Sequence, residues 1–128
     1  WPAAQQGTPA QRDLLLGEVL GGRRFGNAQS EIGSRHVRDH ATTLRPSGER
    51  AGDWVLDGEK TWISNGGIAD FYVVFCRTGE APGARGISAF IVDAGTPGFE
   101  IAERIEVIAP HPLARLRFHD CRIPLSQR

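Results

Sequence analysis

Apolar residues occur along most of this chain in short runs, separated by segments that contain glycine and proline. Beyond Arg24 these runs show no helical spacing, so they predict a protein built mainly of strands. The predicted strands are residues 25–29, 41–45, 71–77, 87–92, 99–101 and 113–118. Short strands at frequent intervals are typical of a small antiparallel β-barrel or a sandwich.

A hairpin is predicted within residues 53–63. Two runs of β-forming residues flank Asp57 and Gly58. Asp-Gly is favoured in type I′ turns because both central residues of such a turn need positive φ.

Residues 8–22 are the segment that favours a helix. Thr8 is suited to the N-cap, Pro9 to the first turn, and a pair of glycines ends the segment. The predicted apolar face consists of Leu15, Leu16, Val19 and Leu20. We expect this face to pack against a further part of a larger protein.

Composition narrows the function classes. The chain has 128 residues, which is the size of one domain, and its 15 basic residues balance 15 acidic ones. A neutral balance argues against a nucleic-acid partner. No apolar run approaches the roughly 18 residues of a membrane span. The chain contains no Met and its first residues do not resemble a signal peptide, so we expect a segment of a longer protein.

The two cysteines indicate whether the protein belongs to a reducing or an oxidising compartment. Cys76 directly follows an apolar run, and Cys121 comes three residues after Phe118. We expect both to be reduced, which is typical of an intracellular protein, and predict a cytoplasmic location.

Common catalytic and metal-binding patterns are weak in this sequence. His36 and His40 are four residues apart in a polar segment with no third ligand, which favours a solvated surface over a metal site. His111, between two prolines, is predicted to be a loop residue. His119 and Cys121 flank Asp120, but neighbours on a strand point to opposite faces, which argues against a catalytic triad. The sequence also lacks a dinucleotide-binding glycine motif and a phosphate-binding lysine loop.

The segment 59–67 is the most informative one, with the sequence Glu-Lys-Thr-Trp-Ile-Ser-Asn-Gly-Gly. An indole such as that of Trp62 can cover the face of a planar ligand, and the Ser64 hydroxyl can then hydrogen-bond the ligand's edge. The glycines allow close approach of the backbone. From the residues alone, packing of Trp62 in or beside the core remains an alternative.

Residues 53–128 closely resemble the middle β-domain of the acyl-CoA dehydrogenase family, and the likeness extends back to Phe25. The matching stretches are residues 54–66, 86–92, 97–99, 115–118 and 121–124. The resemblance implies a mainly β fold, a small antiparallel β-barrel over residues 25–128 with one short N-terminal helix. Residues 1–24 would end a preceding helical domain or form a linker.

The same resemblance implies a cofactor, FAD. In that family the Trp of this motif packs beside the isoalloxazine and the hydroxyl residue two positions later hydrogen-bonds it, roles that fall on Trp62 and Ser64. Phe25, Asn27 and Ala28 complete the predicted cofactor-binding set.

A second family signature, Thr-Glu-Pro-x-Ala-Gly-Ser-Asp, aligns with residues 28–35, where Glu31, Gly33 and Ser34 fit. Ser34 would contact the acyl-CoA substrate. Ala28 replaces the flavin-contacting Thr, so backbone groups of residues 27–29 would have to reach the flavin instead. Arg35 replaces the terminal Asp.

Three interpretations follow. The first is the FAD-binding middle domain of an acyl-CoA dehydrogenase. The second is the matching domain of a flavin-dependent monooxygenase, because residues 26–31 look more like that branch of the fold. The third is a β-barrel that folds alone without a cofactor, as a structural or binding module.

The family likeness also implies missing parts. In the family a Glu on a helical domain removes the substrate's α-proton, and no carboxylate here matches it, so no catalytic residue is predicted and the isolated chain should be inactive. Its expected partners are the acyl-CoA substrate and the helical domains. Without those domains, uncovered apolar surface should make the chain self-associate.

Overall fold

The computed structural model describes residues 7–33, 41–48, 53–79 and 81–124. Over these ranges the chain forms one α-helix, one short 3₁₀ turn and a single seven-stranded sheet. The elements are α1 (Pro9–Leu20), β1 (Phe25–Ala28), β2 (Thr43–Pro46), β3 (Asp53–Ser64), β4 (Phe71–Arg77), the 3₁₀ turn (Gly83–Gly86), β5 (Ile87–Asp93), β6 (Phe99–Ile105) and β7 (Leu113–Pro124).

The sheet is curled around one core. Its strand order is β1-β4-β2-β3-β7-β6, and β5 pairs with β4. Most pairs are antiparallel, but β4 runs parallel to both β1 and β2. The rings of Tyr72 on β4 and Phe99 on β6 lie 5.2 Å apart, which brings distant strands together across the core. The predicted mainly β fold with one short helix is confirmed.

Strand β4 has the bounds that its apolar run predicts. Phe71, Tyr72, Val73 and Val74 are all buried, because both faces of this strand are covered. The core around it is formed by Ala28, Leu44, Leu56, Ile63, Ala69, Tyr72, Val74, Cys76, Phe90, Val92, Ala114, Leu116, Phe118, Cys121 and Ile123.

The predicted hairpin at Asp57 and Gly58 is wrong. Residues Asp53–Ser64 form one strand that pairs with β7 along most of its length, with a register shift between Leu56 and Gly58. Gly58 has φ 143°, and a Cβ there would lie 2.7 Å from the Thr42 Cα. The glycine therefore allows a β-bulge beside β2 where the sequence suggested a chain reversal.

Other strands differ from their predicted ends. Strand β6 continues to Ile105 and β7 to Pro124, beyond the apolar residues from which they were predicted. Both extensions are stabilised by pairing between neighbouring strands, which local composition does not reveal.

Helix α1 begins as predicted. The Thr8 Oγ1 accepts a hydrogen bond from the Gln11 N–H, and the Gln11 side chain accepts one from the Thr8 N–H, which makes a capping box. Of the predicted apolar face only Leu15 is fully buried, whereas Leu16 is exposed and Leu20 is 85% exposed. The helix thus leaves most of its leucine surface uncovered.

Arg23 attaches the helix to the sheet. Its guanidinium pairs with Glu18 of α1 and with Asp93 at the end of β5, and it lies 5.4 Å from the centre of the Phe71 ring. These carboxylates raise the pKa of Arg23.

Cys76 and Cys121 are both buried and are not joined in a disulfide, as predicted. Among the described helical residues, no stretch is long and apolar enough to cross a membrane.

Candidate functional site

Trp62 has an unusual backbone conformation and is turned outward. Its φ is 58°, in the left-handed region that costs a bulky residue about 1–2 kcal/mol. The β3–β7 register shifts between Lys60 and Ile63, so Trp62 sits in a bulge. Its neighbours Thr61 and Ile63 are buried, while Trp62 is 58% exposed. The alternative of core packing is therefore contradicted.

Ser64 is exposed on the same end of β3. Its Oγ lies 3.0 Å from the Nε2 of His111, in the segment that leads into β7. The sequence predicted only a loop position for His111. Its contact with Ser64 depends on the pairing of Ser64 with Leu113, which no local signal revealed.

The turn after Ser64 is held from three sides. The Asn65 side chain donates to the Phe25 carbonyl at 3.0 Å, and the Asn65 N–H donates to the Pro112 carbonyl at 2.9 Å. The Tyr72 hydroxyl accepts from the Gly67 N–H at 2.9 Å and donates to the Asn65 carbonyl at 3.4 Å. Burial raises the pKa of Tyr72, so its hydroxyl stays protonated as a donor.

The segment from Phe25 to Ser30 runs beside residues 61–65 in the opposite direction. Asn65 bonds Phe25 at one end, and the Thr61 N–H donates to the Ser30 carbonyl at 2.9 Å at the other. Gly26 permits close packing on both sides of β1, because a Cβ there would lie 3.2 Å from the Ser64 carbonyl oxygen and 2.6 Å from the Tyr72 ring on β4.

The predicted cofactor-binding residues on β1 differ in their solvent exposure. Asn27 is exposed, and Phe25 is half-buried with its ring 6.1 Å from that of Phe71. Ala28 is fully buried in the core, so only its backbone is available to a ligand. Ser30, which was not in the predicted set, is exposed and lies opposite Thr61.

The structure thus brings Trp62, Ser64 and Asn27 to one surface. Predicted residues Ser34, Arg35, His36 and His40 lie outside the described residues. His119 is exposed while Cys121 is buried, so the two side chains do not form a catalytic pair. Alternation on a regular strand would put residues two apart on the same face, but Asp120 between them has a φ of 48°. In the part of the chain that is described, no three His, Cys, Asp or Glu side chains are grouped as metal ligands.

A buried ion pair lies directly behind this surface. The Lys60 Nζ is 2.6 Å from Glu31 Oε1, and the side chain of Lys60 is fully inaccessible to solvent. Burial opposes ionisation of both groups and lowers the pKa of Lys60. At Glu31, hydrogen bonds from Lys60, Thr42 and Ala41 outweigh burial and lower the pKa. The 2.6 Å contact between Lys60 and Glu31 and the further hydrogen bonds to Glu31 are the geometry of an ion pair.

These features suit a flat, uncharged heterocycle. Trp62 offers an apolar ring face, and Ser64 and Asn27 offer hydrogen-bonding groups within the same surface. The residues present on this surface therefore fit the flat ring of a flavin.

Known proteins are similar to this chain in both sequence and fold. A family profile described as acyl-CoA dehydrogenase, middle domain, matches residues 27–121. Mitochondrial isobutyryl-CoA dehydrogenase of Bos taurus is 36% identical over 132 residues, which cover 100% of this chain and 31% of the bovine protein.

Solved structures of known proteins also resemble this chain. Butyryl-CoA dehydrogenase of Megasphaera elsdenii has a TM-score of 0.87 at 29% identity, over 98% of this chain and 33% of its own. An FAD-dependent dehydrogenase has a TM-score of 0.84 at 30% identity, over 98% of this chain and 34% of its own. The chain therefore spans about a third of the length of these relatives, belongs to the acyl-CoA dehydrogenase family, and corresponds to its middle domain.

Proposed function

We propose that this chain is the FAD-binding middle domain of an acyl-CoA dehydrogenase and contributes flavin and acyl-CoA contacts to α,β-dehydrogenation of acyl-CoA thioesters. The observation that carries the proposal is the outward-facing Trp62 in a left-handed conformation. A strained aromatic residue that gains little burial is retained where its exposed face has a use.

Each residue of the surface has a role in this proposal. The Trp62 indole packs beside the isoalloxazine, and Ser64 hydrogen-bonds the flavin edge. Phe25, Asn27 and the backbone of Ala28 line the adjoining β1 edge. Ser34 contacts the acyl-CoA. When bound, FAD supplies the acceptor for the hydride that leaves the substrate.

The chemistry needs further parts of the protein. We propose that residues 1–24 end a preceding helical domain or linker and that residues 25–128 form the β-barrel. The base that removes the α-proton belongs to a helical domain, so the isolated chain binds ligands without turning them over. The cytoplasmic location and the self-association of the isolated chain are parts of the same proposal.

A titration with FAD tests the proposal. Flavin emission is followed as the chain is added, because stacking on an indole quenches it. Trp62→Ala should weaken binding by about tenfold or more, since stacking on an aromatic side chain is worth about 1–3 kcal/mol. Ser64→Ala should weaken it less. Trp54→Phe is the matched control, because Trp54 packs against Phe90 away from this surface.

The titration also separates the interpretations. No quenching by the unaltered chain, and no change on Trp62→Ala, would favour a β-barrel without a cofactor. Equal quenching by the unaltered chain and the Trp62→Ala variant would contradict the role proposed for Trp62. Binding alone does not separate a dehydrogenase from a flavin monooxygenase. That alternative is tested by assaying the whole protein with acyl-CoA and an artificial electron acceptor, where a dehydrogenase reduces the acceptor without O₂.

A further inference from the structure

The Lys60–Glu31 pair connects three segments of the chain. Glu31 follows β1, and its carboxylate accepts hydrogen bonds from the Ala41 N–H at 2.6 Å and the Thr42 N–H at 3.1 Å, ahead of β2. Lys60, on β3, donates to Glu31 at 2.6 Å and to the Gln29 carbonyl at 3.3 Å. One buried pair therefore joins β1, β2 and β3.

The Lys60–Glu31 pair lies close in the chain to the Trp62 bulge. Lys60 is two residues from Trp62, and Glu31 adjoins Ser30, whose carbonyl accepts the Thr61 N–H. On both segments the pair is thus one residue away in the chain from the backbone hydrogen bond that joins Ser30 to Thr61 of the bulge. Lys60 adds a second connection between residues 29–31 and β3, because its Nζ donates to the Gln29 carbonyl and to Glu31.

Burying an ion pair is an inefficient way to stabilise a fold. A well-packed apolar pair of similar size is often equally stabilising or more so, because both charges lose their hydration. An ion pair adds directional hydrogen bonds, which fix the relative positions of the groups that it joins.

We propose that Lys60 and Glu31 are positioning residues for the flavin surface: they hold the 27–31 segment and the Trp62 bulge in one arrangement. This inference rests on the proposed FAD binding. Neither side chain touches the flavin in this account, because both are buried beneath the surface. The pair acts through the Ser30 carbonyl and the backbone on either side of Trp62.

The test compares variants of the whole chain that separate stability from positioning. Lys60→Met leaves Glu31 buried without its cation and should destabilise the fold. The double variant Lys60→Met/Glu31→Leu removes both charges and should recover much of that stability. Ile123→Ala, a core truncation on β7 far along the sheet from Trp62, is the control for stability loss alone.

Two measurements are made on each variant at a temperature where all are folded: the Kd for FAD and the hydrogen-exchange protection of the Thr61 amide. In the double variant we expect the Kd to rise about tenfold and the Thr61 protection to fall about tenfold. In Ile123→Ala we expect the Kd to change by less than about threefold.

The inference is overturned if the double variant binds FAD as tightly as the unaltered chain, or if it binds FAD more weakly but keeps its Thr61 protection. It is also overturned if Ile123→Ala weakens FAD binding as much as the double variant does. An unaltered chain that fails to bind FAD contradicts the proposed function and removes the inference with it. Equal affinities across the variants contradict the inference alone.

Discussion

At the scale of single residues, Trp62 combines two costs that a purely structural residue would avoid. Its φ of 58° strains the backbone, and more than half of its side chain stays in water. Asn65, three residues later, has a similar φ of 61°, but asparagine tolerates that region and its side chain bonds Phe25. The strain at Trp62 is therefore the more informative of the two.

A glycine at position 62 should relieve that strain. Trp62→Gly should be about 1 kcal/mol more stable than Trp62→Ala, because alanine keeps the steric cost of positive φ and glycine does not. This reverses the usual order in strands, where glycine is the less stable of the two. Urea unfolding of both variants measures the difference, and an alanine variant as stable as the glycine variant would contradict the strain argument.

Cys121 gives a prediction about alkaline stability. Burial first, and then the nearby Asp57 and Asp120 charges, raise the pKa of the Cys121 thiol from its ordinary value of 9.0 to about 11. The folded state thus binds this proton more tightly than the unfolded state does. The thiol's contribution is complete below about pH 9 and is lost as pH rises through about 11.

Comparing the chain with its Cys121→Ala variant isolates this effect. The advantage of the unaltered chain should shrink by on the order of 2 kcal/mol across that pH range, because two pKa units correspond to that energy. Urea unfolding at several pH values between 8 and 11 gives the difference. A gap that stays constant with pH would contradict the assignment.

At the scale of elements, the sequence predicts a strand correctly where the apolar run is continuous. The prediction fails where pairing with a distant strand determines whether the chain turns or continues. Strand β4 has its predicted bounds because its apolar run is buried on both faces. The Asp57–Gly58 hairpin fails because the same dipeptide that suits a turn also suits a bulge. Pairing of β3 with β7 decides between the two, and that contact is distant in sequence.

The bulge at Gly58 can be tested directly. Gly58→Ala should lower the free energy of unfolding by about 1–3 kcal/mol, because alanine is strained at φ 143° and its Cβ would meet the Thr42 backbone. Gly95→Ala is the matched control, since it has open space around it and should change stability by less than about 0.5 kcal/mol. Thermal or urea unfolding compares them; a harmless Gly58→Ala would contradict the bulge.

The residues of the candidate site also differ in how far the sequence could predict them. For Trp62 the residues alone left packing in or beside the core as an alternative, and only the family resemblance of the motif pointed to a ligand-facing position for Trp62 and Ser64. His111 and Ser30 could not be predicted, since they meet the end of β3 only through tertiary contacts. Burial of Ala28 and of the Lys60 side chain was also hidden, because an alanine and a strand lysine are compatible with either face.

At the scale of the whole molecule, the chain leaves apolar surface uncovered. Leu14, Leu16 and Leu20 of α1 are exposed, and so is Ile108 in the segment between β6 and β7. Scattered exposed leucines are common, but Leu16 and Leu20 are four residues apart and share one side of α1, which is typical of a surface that packs against something else.

The isolated chain should therefore self-associate through α1. Replacing Leu20 by Gln should shift the chain toward monomer without lowering its melting temperature, because the Leu20 side chain is 85% exposed. Light scattering across a concentration series measures the mass. A clean monomer for the unaltered chain at high concentration would contradict this expectation, and an unchanged oligomer in the variant would exclude α1 as its contact.

The most direct test of the central claim is to locate the flavin on the chain. In the NMR spectrum of the chain with FAD, protons of the isoalloxazine ring should show intermolecular NOEs to the Trp62 indole and none to Trp54. NOEs to another part of the chain, or a complex in which Trp62 keeps its unbound resonances, would contradict the account.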